Sequence, residues 1–102
     1  MHILIINFNL NGVSRPEYEA VCDEVAGDFA ECSGLISKYW LANEETNTYG
    51  GVYVWKDEQS MLDYKKSELF DGIENHPAFA NVTVTDFEVL ASPTKITYGA
   101  GA

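Results

Sequence analysis

Basic side chains are scarce in this chain: 6 Lys and Arg stand against 16 Asp and Glu, giving a formal net charge of -10 and a pI near 4.3. Outside Lys65-Lys66 no two basic residues are adjacent, so a phosphate backbone or an anionic membrane finds no basic face to bind. Imidazoles are rarer still. His2 and His76 are the only two, and neither a Cys-x-x-Cys nor a His-x-x-x-His spacing occurs, which makes a metal-dependent chemistry hard to build. The two cysteines, Cys22 and Cys32, fall in a predicted helix and at its end, where about 15 Å of helical rise separates them. That excludes a disulfide between them, and Cys22 reads as a small thiol on an apolar face. No stretch reaches the roughly 20 apolar residues of a membrane span. MHILIINF is too short for one and lacks a basic flank, so the expected location is cytoplasmic. A phosphate cradle is missing too, because Gly50-Gly51 opens a strand and not a helix.

Apolar and aromatic residues are plentiful. With 46% hydrophobic residues in 102, the chain suits one domain, expected over residues 1–92, followed by a tail over 93–102 with little to bury except Ile96 and Tyr98, expected to be partly disordered or packed on the partner and to fray at its Gly-Ala end. Ile3 to Phe8 forms a β-branched run ending in turn formers, hence a buried first strand. Ser14 and Glu17 have capping-box spacing, and Tyr18, Val21, Cys22, Val25 and Phe29 recur on one helical face. This predicts a helix from about Arg15 to Glu31. Leu35 to Ala42 and Tyr49 to Trp55 read as strands joined by a polar hairpin connection. Asp57 can cap a second helix running to about Phe70, with Met61, Leu62, Leu69 and Ile73 as its stripe. Lys65 or Lys66 interrupts that stripe, which would let one lysine reach toward a cavity. Asp71 to Asn81 reads as an irregular loop, and Val82 to Leu90 as a last strand.

Strand, helix, strand, strand, helix, strand is the ferredoxin-like α+β order, βαββαβ with a four-stranded antiparallel sheet. Two helices cover one face, yet the first strand and the hairpin carry apolar residues on both. The economical cover for the other face is the same face of a second copy, forming a dimeric α+β barrel. A dimer and a dimer of dimers both satisfy this requirement.

The run from Gly34 through Lys38, Trp40, Glu44, Gly50-Gly51 and Tyr53 to Asp57-Glu58, Ser60 and Tyr64 resembles the YdhR-type mono-oxygenase family, and the likeness covers nearly the whole chain. That family belongs to the dimeric α+β barrel superfamily and is similar to antibiotic-biosynthesis mono-oxygenases. The resemblance implies a cavity between the sheet and its two helices. It also implies oxidation of a small aromatic or polyketide-like phenol by O2 without metal, flavin or haem. An electron-rich phenolate can reduce oxygen itself, so the protein supplies shape, desolvation and proton management. Strand alternation puts Lys38 and Trp40 on one side of their strand and Gly51, Tyr53 and Trp55 on one side of theirs. Together with Asn7 and Asn9 they form a candidate set. Trp40, Tyr53 and Trp55 read either as packing in the core or dimer interface or as ligand contacts, and Tyr64 as packing or a hydrogen-bonding wall. Asn7 is either satisfied by backbone or catalytic. Lys65 holds an anion if it points inward and is solvated otherwise. His76, in the expected loop before Pro77, is a general base or a surface residue. The competing function is a non-oxidative pocket protein: a cyclase, an isomerase or a carrier.

Overall fold

In the computed structural model, which describes residues 1–98, a single antiparallel sheet organises the chain. Its strands are β1 (His2–Leu10), β2 (Leu35–Asn43), β3 (Thr48–Trp55) and β4 (Phe79–Glu88). They run in the order β2-β3-β1-β4, the order of a split βαβ unit. Helix α1 (Arg15–Ala30) lies between β1 and β2, and the capping box read in the sequence is present: Glu17 N–H donates to Ser14 Oγ, and Ser14 N–H to the Glu17 carboxylate.

The expected single helix after β3 is two. Helix α2 (Glu58–Tyr64) starts at its Asp57 cap, and α3 (Glu68–Glu74) starts at a second cap, Ser67. Ser67 Oγ donates to the Tyr64 carbonyl at 2.6 Å and accepts from Phe70 N–H at 3.3 Å, so one serine ends one helix and begins the next. This break explains the lysines in the apolar stripe. Lys65 is the C-cap of α2 and Lys66 lies in the turn, so neither has to fit a continuous apolar face. The expected loop over 71–81 is correspondingly shorter, because α3 runs to Glu74 and β4 begins at Phe79. The tail also has structure: α4 (Ala91–Thr97), where Thr94 and Tyr98 share a groove with Ile3, Ile36, Tyr39 and Val54. The expected fraying of the Gly-Ala end lies outside the described residues. No helix among the described residues is long and apolar enough to cross a membrane.

Alternation along β1 sets the two faces. His2, Leu4, Ile6 and Phe8 are buried under the helices, while Ile3, Ile5 and Asn7 are half-buried on the other side. Each fully buried Leu or Ile contributes roughly 1.5–3 kcal/mol relative to exposure. The core joins these residues to Tyr18 and Phe29 of α1, Tyr53 and Trp55 of β3, Met61 and Tyr64 of α2, and Phe70 of α3. On the opposite face Tyr39 is 57% exposed and Phe87 55%, beside the half-buried Val52 and Val54.

Candidate functional site

The β2–β3 register brings the site together. Lys38 pairs with Tyr53 and Trp40 with Gly51, so these side chains share the helix-side face, as the alternation requires. β3 pairs in turn with β1, where Leu4 opposes Tyr53 and Ile6 opposes Gly51. The stripe of α1 closes over this surface from above, and α3 closes one flank.

Between them is a cavity of about 220 Å³. Phe8, Lys38, Trp40, Gly50 and Tyr53 form its floor, and Tyr18, Val21, Cys22, Val25 and Phe29 of α1 its roof. Glu68, Leu69, Gly72 and Ile73 of α3, with His76 and Phe79, complete the wall. Tyr18 meets Phe8 and Tyr49 edge-on, and Phe79 stacks on Phe8 with centroids 4.1 Å apart. An apolar cavity of about 150 Å³ suffices for benzene. The space here therefore suits one or two aromatic rings.

Lys38 is the cation in this aromatic chamber. Its Nζ lies 3.4 Å from the centroids of both Phe29 and Trp40 and 4.6 Å from that of Tyr53. Among the described residues no carboxylate pairs with it. Burial pushes its pKa from 10.5 down to about 7. The ring faces act in the opposite direction, since their quadrupoles favour the ammonium. Burial pushes the Cys22 and Cys32 thiols up, so neither supplies a thiolate as counter-charge.

Two glycines make this placement possible. Gly50 has φ +145°, and a Cβ there would run into the Ile6 carbonyl of the neighbouring strand. At Gly51 a Cβ would stand 2.9 Å from Lys38 Cε and 3.2 Å from Tyr53 Cε1. The Gly-Gly pair thus lets β3 lie close to β1 and leaves a groove for the lysine stem.

The other expected site residues fall in three places. Trp40, Tyr53 and His76 line the cavity. Within the loop His76 Nδ1 accepts from Ala78 N–H at 3.1 Å, and its ring stacks on Phe79 at 4.5 Å. Trp55 and Tyr64 are buried beneath the cavity and do not line it. Tyr64 donates to the Tyr53 hydroxyl at 3.3 Å, burial raises the pKa of both phenols, and the Trp55 ring lies 5.1 Å from that of Tyr64. Trp55 Nε1 has no hydrogen-bond partner among the described residues. Asn7 does not join this set, because β1 alternation turns it to the opposite face. Asn9, grouped with it, donates to the Asn47 carbonyl and accepts from Asn81, tying strand ends together. Lys65 is also absent from the lining, held at the helix break.

The α1 stripe, in the sequence no more than an apolar helical face, supplies five residues to the cavity roof. A periodic apolar face looks the same whether it meets packed side chains or a void. Away from this chamber His2, Glu58 and Asp86 place donor atoms within 4.8 Å of one another. A 2.6 Å hydrogen bond between His2 Nε2 and Asp86 Oδ2 accounts for the buried histidine there.

The family model described as "Putative mono-oxygenase ydhR" matches residues 3–100. Among solved structures, the chain is similar to SnoaB, a cofactor-independent oxygenase from Streptomyces nogalater. The identity is 20%, 87% of this chain and 92% of that one are covered, and the TM-score is 0.69. It is also similar to the heme-degrader MhuD of Mycobacterium tuberculosis, at 16% identity, 88% and 96% coverage and TM-score 0.70. An antibiotic biosynthesis monooxygenase aligns at 10% identity, 88% and 99% coverage and TM-score 0.70. These likenesses establish a shared fold. No curated protein sequence matches the chain.

Proposed function

The chain belongs to the ydhR mono-oxygenase family, and from that premise we propose that it oxidises a small phenol or enolisable aromatic with O2, without a cofactor, in the cavity under α1. The observation that carries this reading is the unpaired Lys38 ammonium inside an aromatic chamber. An apolar cavity with one half-buried cation favours a flat ligand that carries or develops negative charge. A phenolate beside Lys38 is favoured over its phenol, and the phenolate is the form able to pass an electron to oxygen. Phe29, Trp40 and Tyr53 present the ring faces against which a flat substrate packs. His76 and Glu68 stand at the wall, where a proton must leave or return. The volume favours substrates of one or two rings over larger polyketides.

The SnoaB likeness supports this reading because that protein is a cofactor-independent oxygenase of the same fold. A cytoplasmic dimer is part of the proposal: a second copy covers Tyr39, Phe87 and their apolar neighbours on the open sheet face. Light scattering on the eluting protein would show twice the 11.3 kDa chain mass. Oxygen consumption by metal-free protein with naphthols, naphthalenediols and anthrone tests the activity. Uptake above buffer that drops at least about tenfold in Lys38→Met is expected, a loss of about 1.4 kcal/mol in transition-state stabilisation. No uptake across the panel overturns the oxygenase reading, and an isomeric product formed anaerobically would replace it with a cyclase or isomerase.

A further inference from the structure

Lys38 differs from the other four lysines, Lys56, Lys65, Lys66 and Lys95, none of which lines the cavity. Its stem lies in the groove left by Gly51, and its amine meets the faces of Phe29 and Trp40. No carboxylate among the described residues neutralises it. An amine without an ion-pair partner, bordering an apolar space large enough for an aromatic ligand, is placed for nucleophilic attack as well as for charge stabilisation. Burial, by disfavouring the ammonium, frees the lone pair near neutral pH.

We propose that Lys38 is a covalent site whose amine condenses with the carbonyl group of an aromatic aldehyde or ketone bound in the cavity, forming an imine. The Nζ lone pair attacks the carbonyl carbon, making a C–N bond while the C=O π pair moves to oxygen. Both protons of the neutral amine transfer to that oxygen, which leaves as water as the C=N bond forms. No oxidant, metal or cofactor takes part. The site therefore binds carbonyl compounds independently of any oxygen chemistry. Tyr53, Glu68 and His76 are the ionisable groups of β3, α3 and the following loop that border the same space, with Tyr18 and Cys22 on α1.

The test is incubation of the protein with benzaldehyde and sodium cyanoborohydride at pH 7, followed by intact-mass measurement and peptide mapping. Lys38 should be alkylated at least about tenfold faster than any other lysine, since its amine alone borders a space that holds the aldehyde against it. 2-Naphthol, which fills the cavity without a carbonyl, should slow that labelling. Lys38→Arg, which keeps the charge against the rings, should fold with an unchanged circular dichroism spectrum and lose the adduct. Labelling spread over the surface lysines, with Lys38 at or below their rate, overturns the proposal, as does a fast lysine adduct in the peptide map that persists in Lys38→Arg, the Met1 amine being mapped separately. Trapping at Lys38 without oxygen uptake from any phenol would sink the oxygenase reading alone, and uptake without trapping would sink the covalent site alone.

Discussion

Gly51 shapes the position of Lys38: a Cβ at residue 51 would stand 2.9 Å from the Lys38 Cε, closer than a side-chain contact allows. The lysine stem can move and the backbone cannot, so the two glycines of this strand respond differently to alanine. Gly51→Ala should fold with a loss of about 1 kcal/mol or less while pushing Nζ away from Phe29 and Trp40. Gly50→Ala meets the Ile6 carbonyl at a positive φ and should cost about 3 kcal/mol or more, because backbone has to shift in both strands. Urea unfolding gives both costs, and the change in near-ultraviolet tryptophan dichroism reports the loss of the ammonium over Trp40. Equal destabilisation by the two would show that residue 51 is a structural glycine like residue 50.

Lys38 should make stability depend on pH in a defined window. Burial puts its pKa at about 7 in the folded protein, against 10.5 for an ordinary lysine. Between those values the unfolded chain binds the additional proton, so this residue makes stability rise with pH across the window. Below pH 7 both states are charged and the full cost of burying the ammonium is present. Lys38→Met should therefore be more stable than the parent at pH 6, by on the order of 2 kcal/mol once the attraction of the rings is allowed for. The gap should narrow as the pH approaches 10. Comparison at each pH cancels the opposing titration of Tyr18, Tyr53 and Tyr64, whose pKa values burial raises. A pH-independent gap in paired urea curves would contradict the assignment.

Ser67 has two jobs at the helix break, and its removal should expose both. Ser67→Ala takes away the acceptor for Phe70 N–H and the donor to the Tyr64 carbonyl. A loss of about 1–2 kcal/mol is expected. Because α3 supplies Leu69, Gly72 and Ile73 to the cavity wall, hydrogen exchange in residues 68–74 should speed up more than in α1. Thr at residue 67 should restore most of the stability. Uniform acceleration in both helices would mean that the cap stabilises the fold globally and not this wall.

The strand order and the capped start of α1 were legible because alternation, turn residues and the Ser14–Glu17 pair all point one way. The break at Ser67 was not, since Met61, Leu62, Leu69 and Ile73 satisfy a helical stripe whether or not the backbone continues between them. Period alone puts Lys38 and Trp40 on one side of their strand without saying that this side meets the helices, and Asn7 is grouped with them although its face depends on the cross-strand register with Gly50. Pattern assigns a face within one strand. Only register says which faces of different strands coincide. The resemblance implies a cavity between sheet and helices, but not which residues line it: Tyr18, Cys22 and Phe29 have the spacing of core residues, and what distinguishes a core from a chamber is the small residue opposite.

Gly72 is such a residue, and it offers the cleanest way to close the chamber. It lies in α3 and lines the cavity, and a Cβ built there meets nothing within 4 Å. A Cβ at residue 72 therefore displaces no neighbour, and a longer side chain there starts from the cavity wall. Gly72→Ala should stabilise the protein by up to about 1 kcal/mol through helix propensity alone. Gly72→Leu should retain that gain and fill the volume that a ring would occupy, lowering the affinity for 2-naphthol at least about tenfold, or 1.4 kcal/mol. Calorimetric titration gives the affinity and thermal unfolding gives the stability. A Gly72→Leu protein that is as stable as the parent and binds 2-naphthol equally well would mean that the ligand sits elsewhere, and the functional reading of this cavity would fail with it.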